Sequence, residues 1–136
     1  MSRTLALALA FLASGCAQPI QSASVPQAFA AGRWAGDQVE LELFPDGHGL
    51  VTLPCAKVEF AGPLKRDIGG HFLAAGLLTS SAGPDTRPPR SAVPANVSGR
   101  LDSGGVLWLD VALRDSYPVR SVRLRRGSSS NLLRCL

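Results

Sequence analysis

Aromatic side chains are scarce in this chain, at 6% of its 136 residues. No apolar run approaches the roughly 20 residues that a membrane-crossing helix needs. Beyond the first residues there is no helical period of useful length. With few aromatics and no basic-aromatic motif, nucleic acid is not an expected partner. An enzyme needs a nucleophile with a base, a metal cluster or paired carboxylates. The sequence has no HExxH or other zinc spacing, no Gly-x-Ser-x-Gly elbow, no P-loop and no dinucleotide fingerprint after a strand. Its two histidines, His48 and His71, are far apart, and each falls at a turn or a strand start. Glu40 and Glu42 come closest to a carboxylate pair, but an alternating solvated strand face accounts for them. The expectation is a protein without catalytic residues, cofactor or metal site.

What the sequence does have begins at its N-terminus. Arg3 precedes an apolar run from Thr4 to Ala13, which closes on Ala13-Ser14-Gly15-Cys16. A basic start, a short apolar core and small residues at its end make a cleavable export signal. Small residues before a cysteine resemble the signal of bacterial lipoproteins, although Ala13 stands where that motif usually has leucine. The resemblance implies that residues 1–15, a signal helix, are removed, and that Cys16 becomes the lipid-bearing first residue. Ala17, a non-aspartate, implies delivery to the outer membrane, facing the periplasm. The alternative is an ordinary secretory signal cut near Ala17. Gln18 to Gln27 is small, polar and Pro-containing, which places a flexible tether over residues 16–30 and a folded domain over 31–136.

Of the three cysteines, acylation of Cys16 leaves Cys55 and Cys135 as a pair in an oxidising compartment. A bridge between them closes most of the domain into one loop, worth about 4–5 kcal/mol on chain-entropy grounds. The competing reading, a reactive or metal-bound thiol, lacks ligands nearby in sequence. The net charge is +4, and Arg114, Arg120, Arg123, Arg125, Arg126 and Arg134 crowd the last strand-like stretches against Asp115. Such a face can attract anionic lipid or glycan, or can simply be the wet side of strands.

Alternation of apolar and polar residues runs through Val39–Leu43, Leu50–Leu53, Lys57–Phe60, His71–Thr79, Ala95–Leu101, Val106–Arg114, Val119–Arg126 and a short Leu132–Leu136. Turn chemistry separates them: Asp46-Gly47, Gly62-Pro63, Lys65 to Gly70, Gly104-Gly105, Tyr117-Pro118 and Gly127 to Asn131. Ser80 to Pro94 is the longest loop, and its prolines argue against a central ladder there. Short strands in series, with turns every 8–12 residues, predict an all-β fold: an antiparallel up-and-down barrel of about eight strands.

Gly32-Arg33-Trp34 at the first strand, with Arg125 or Arg126 late in the chain, resembles the lipocalin signature. The resemblance implies that Trp34 closes the barrel floor under an arginine, assigned here to Arg125. The wider pattern, including Pro54-Cys55-Ala56, Gly70-x-Phe72 and Leu133-Arg134-Cys135-Leu136, is similar to small bacterial exported proteins without an assigned activity. The functional expectation is a membrane-anchored, non-catalytic binding module of the envelope. It would hold an apolar ligand in the barrel or at the Ser80–Pro94 loop, or bind an envelope protein. The alternatives are an inhibitor of an envelope-acting hydrolase and a structural envelope lipoprotein. A hollow interior would favour the ligand, a filled one the protein partner.

Overall fold

The computed structural model describes residues 25–80, 92–113 and 118–132. Ten strands follow one another: β1 (Gln27–Ala28), β2 (Gly32–Gly36), β3 (Val39–Leu43), β4 (Gly49–Leu53), β5 (Ala56–Phe60), β6 (Lys65–Arg66), β7 (His71–Ser80), β8 (Val93–Leu101), β9 (Val106–Leu113) and β10 (Pro118–Arg126). Eight of them close a barrel in the order β10-β2-β3-β4-β5-β7-β8-β9, while β1 and β6 pair apart. Every neighbouring pair is antiparallel. The expected eight-stranded antiparallel meander is therefore the observed architecture. Closure leaves the barrel wall without a free edge, the feature that open sheets must protect.

Each strand keeps the period of two that its sequence carries. In β3, Val39, Leu41 and Leu43 are buried while Glu40 and Glu42 are half-exposed. In β9, Leu107, Leu109 and Val111 point inward and Trp108 is exposed. Register aligns these inward positions from strand to strand: Leu41 lies between Trp34 and Val51, and Val97 faces Val111. Small residues allow large ones in. At Gly99 a side chain would meet the Trp108 carbonyl at 2.0 Å and the Phe72 ring at 2.8 Å, so glycine there makes room for the buried Phe72.

The turns follow their chemistry. Asp102 Oδ1 accepts the backbone N–H groups of Gly104 and Val106, both at 2.9 Å, and fixes the β8–β9 connection. The β4–β5 connection is a two-residue turn over Pro54-Cys55, with Cys55 at φ 59°. Proline suits the first of these positions, whereas glycine or asparagine is usual at the second. A side chain with positive φ costs about 1 kcal/mol or more. The Gly62-Pro63 peptide is cis.

Two expectations require correction. The segment read as tether is ordered by residue 27: Gln27 pairs with Arg66 and Ala28 with Lys65, so the stretch read as a polar turn contains β6. Pro94 does stand in a barrel strand, facing Leu77. It lies beyond the first β8–β9 pair, Ala95 with Leu113, so among the described pairs β8 has only one neighbour at that point. No missing donor then breaks a two-sided ladder. The expected last strand, Leu132–Leu136, lies outside the described residues save Leu132, which is not in a strand.

Candidate functional surfaces

The interior is packed with side chains. Val39, Leu41, Val51, Val58, Val97, Leu107 and Leu124 have no accessible surface at all. A void large enough for a water-sized sphere would expose the atoms that line it. Complete burial therefore means that these side chains touch one another with no such gap, as dense protein interiors do. The core contains no buried polar or charged residue among those described. An eight-stranded barrel is just narrow enough to be filled in this way.

One end of the barrel is closed by an aromatic floor. The backbone N–H of Phe29 donates to the Leu64 carbonyl at 3.0 Å. This seats the Phe29 ring edge-on against Trp34, with centroids 6.3 Å apart, and against Phe72 at 5.3 Å. Two guanidinium groups cap the cluster: Arg66 lies 5.7 Å from the Phe29 centroid and Arg126 5.3 Å from that of Trp34. Arg66 also donates to Gln27 Oε1 at 3.0 Å, and Arg126 to the Ala31 carbonyl at 3.1 Å. The arginine over Trp34 is thus Arg126, not Arg125. Register decides this: Arg126 pairs with Trp34, whereas Arg125 pairs with Ala35 and falls on the opposite face of the strand. Phe29 and Arg66 were missed because they lie in segments read as linker and turn. A lone aromatic in the polar and alanine-rich stretch before Gly32 was the available signal.

The histidines are surface groups held by neighbouring carboxylates. His48 stacks on Phe44, with centroids 4.1 Å apart, and its ring Nδ1 meets Asp46 Oδ1 at 2.5 Å. That hydrogen bond holds the Asp46 carboxyl below its ordinary value. His71 Nδ1 lies 3.4 Å from Asp67, whose carboxyl is lowered chiefly by the His71 backbone N–H. Glu40 accepts from Ser130 Oγ at 2.7 Å, and Glu42 lies 3.6 Å from Arg33. Each member of that carboxylate pair therefore has its own partner. Among the described residues, no three His, Cys, Asp or Glu side chains converge as a metal ion would require.

Two further surfaces stand out on the outer wall. Across β7, β8, β9 and β10 a row of register partners runs His71, Arg100, Trp108, Arg123, and all four are exposed. The Arg123 guanidinium lies 5.9 Å from the Trp108 ring centroid. Beside this row a cleft of about 980 Å³ opens where the N-terminal segment meets the β6–β7 and β8–β9 turns. Val25 and Ile68 on its rim are 83% and 89% exposed.

Cys55 is exposed at the β4–β5 turn, while Cys16 and Cys135 lie outside the described residues. After β10, Gly127 N–H donates to the Arg33 carbonyl, and the Ser130–Glu40 bond carries the chain back over the outside of β2 and β3. Ala35, whose register neighbours Glu40 and Arg125 are on the outer wall, is buried at this crossing.

The chain matches no protein-family model, no curated protein and no solved structure.

Proposed function

We propose that this protein is a lipid-anchored component of the bacterial envelope, tied through Cys16 to the outer membrane and facing the periplasm. It works without catalysis, as a module that recognises an envelope protein with its outer surface. The observation that carries the choice between an enclosed ligand and a surface partner is the packed interior. Seven core residues with no accessible surface leave an apolar molecule no room beside them. The Trp34–Arg126 floor fits the lipocalin-like reading of the barrel, but here it seals a solid core and not a cup.

A Cys55–Cys135 bridge belongs to the same reading. Cys55 occupies a positive-φ position where glycine would sit without strain, which is reasonable if the sulfur is needed there. Reach supports the pairing. Ser130 is held on Glu40, and Glu40 pairs with Thr52 on the strand that leads to Cys55. The residues from Ser130 to Cys135 span up to about 17 Å, and Thr52 to Cys55 covers only about 10 Å.

Native mass spectrometry of the mature protein, taken from its own envelope after mild crosslinking, tests the proposal. The expected result is a fatty-acylated N-terminal Cys16, no stoichiometric small apolar molecule, and a crosslinked protein partner. A retained apolar ligand would overturn the filled-module reading. A mature N-terminus beyond Cys16 without lipid would overturn the anchor.

A further inference from the structure

We infer that the corner of the barrel where the N-terminal segment enters seats on an anionic phospholipid surface, an inference that rests on the proposed Cys16 anchor. The entry point is fixed by the pairing of Gln27 with Arg66 and Ala28 with Lys65. Only residues 17–24 separate Cys16 from Val25 at that corner, and nine Cα steps reach at most about 30 Å. A surface held so close to a bilayer meets it at high effective concentration, so even weak contacts keep it docked.

The chemistry at that corner suits a lipid interface in layers. Val25 and the turn tip Ile68 are the most exposed large apolar residues of the described chain, and they line the same cleft. Leu73 continues the apolar surface, 70% exposed on β7. Trp108 is 45% exposed, and its amphipathic ring is of the kind that settles at the headgroup level. Arg100 and Arg123 flank it in register, placed to meet phosphates.

Nearby, Lys65, Arg66, Arg100 and Arg123 outnumber the carboxylates of Asp67, Asp102 and Asp110, which keep their charge while hydrogen-bonded. Asp67 accepts the His71 backbone N–H and Asp102 those of Gly104 and Val106, while Asp110 accepts from Ser121. On the far wall the balance differs: Glu40, Glu42 and Glu59 face out from β3 and β5, countered by Arg33 and Lys57. An anionic surface would therefore select the Arg100–Trp108–Arg123 side.

The test uses the mature acylated protein reconstituted into vesicles of brominated phosphatidylglycerol and phosphatidylcholine, with tryptophan emission as the readout. Trp34 is buried under Arg126, so the brominated chains should quench the Trp108 component and spare that of Trp34. Quenching should vanish in Trp108→Phe, fall sharply in R100E/R123E and in Ile68→Ser, and weaken as salt rises from about 0.1 M to about 1 M, where screening shortens from about 10 Å to about 3 Å. Vesicle flotation reads the anchor separately. Flotation without quenching overturns the docking and leaves the anchor standing. Equal quenching by purely neutral vesicles overturns the role given to the arginines. Shielding of Trp108 from aqueous quencher without vesicles, growing with protein concentration, would assign the face to a second copy and overturn the lipid. Absence of flotation removes the anchor and, with it, this inference.

Discussion

Replacing Leu41 with alanine distinguishes a packed barrel from a hollow one. Leu41 has no accessible surface and sits mid-wall on β3, between the register partners Trp34 and Val51. Removing the carbons beyond Cβ forfeits about 2.4 kcal/mol of transfer free energy, at about 0.8 kcal/mol for each carbon group. The gap left behind adds to this, because a closed sheet hydrogen-bonded on every side cannot collapse into it. Buried leucine-to-alanine changes cost about 2.7–5 kcal/mol, and the upper half of that range is expected here. For a domain near 100 residues each kcal/mol moves Tm by about 4–8 °C, so the variant should melt roughly 15–40 °C lower. Leu73→Ala, on the outer wall of β7, should stay within about 0.5 kcal/mol of the parent. Denaturant unfolding followed by far-ultraviolet circular dichroism, with both proteins oxidised, provides the measurement. If Leu41→Ala cost less than about 1 kcal/mol and matched Leu73→Ala, the interior would have to be loose or fluid-filled, and the choice of a surface partner over an enclosed ligand would fail.

Other expectations follow from the floor, the turns and the proposed bridge. Arg126→Ala should lose about 1 kcal/mol through the Trp34 stacking and the Ala31 carbonyl bond, whereas Arg125→Ala should lose less than about 0.5, both read by denaturant midpoint. Cys55→Ser should lower stability by about 4 kcal/mol under oxidising conditions and little after reduction; equal losses in both would count against the bridge. The Asp102 carboxyl is held below its ordinary value of 3.8, chiefly by the Val106 backbone N–H and then by Gly104 and Trp108. A depressed folded value gives stability that is present above the unfolded value and is lost as pH falls through the folded one. Acid titration of Asp102→Asn should therefore show a shallower decline below about pH 4 than the parent, with the two curves parallel above pH 5.

Much of the barrel is legible in the sequence because period two and turn chemistry are local properties. Val39-Glu40-Leu41-Glu42-Leu43 states which face of β3 is wet, and Asp102 to Gly105 states where β8 must turn. Other features depend on quantities that no single segment carries. Whether Arg125 or Arg126 covers Trp34 depends on the register between strands separated by most of the chain, and a shift of one residue exchanges the faces. β1 and β6 are two residues each, too short to show any period, so their pairing emerges only once the barrel brings them together. The packed interior depends on summed side-chain volume against barrel radius, a global property. The outer row of Arg100, Trp108 and Arg123 joins single positions on three successive strands, and the register between those strands aligns them.

The parity of the barrel has a consequence of its own. With an even number of antiparallel staves joined in series, the first begins and the last ends at the same rim, so Gly32 and Arg126 lie side by side. An odd count would have sent them to opposite rims. Whatever fastens the front of the chain therefore pulls on the aromatic floor, and the rim carrying the Asp37-Gln38 and Pro54-Cys55 corners points away from the fastening. Labels or fusions meant to leave that far rim clear belong at the floor end.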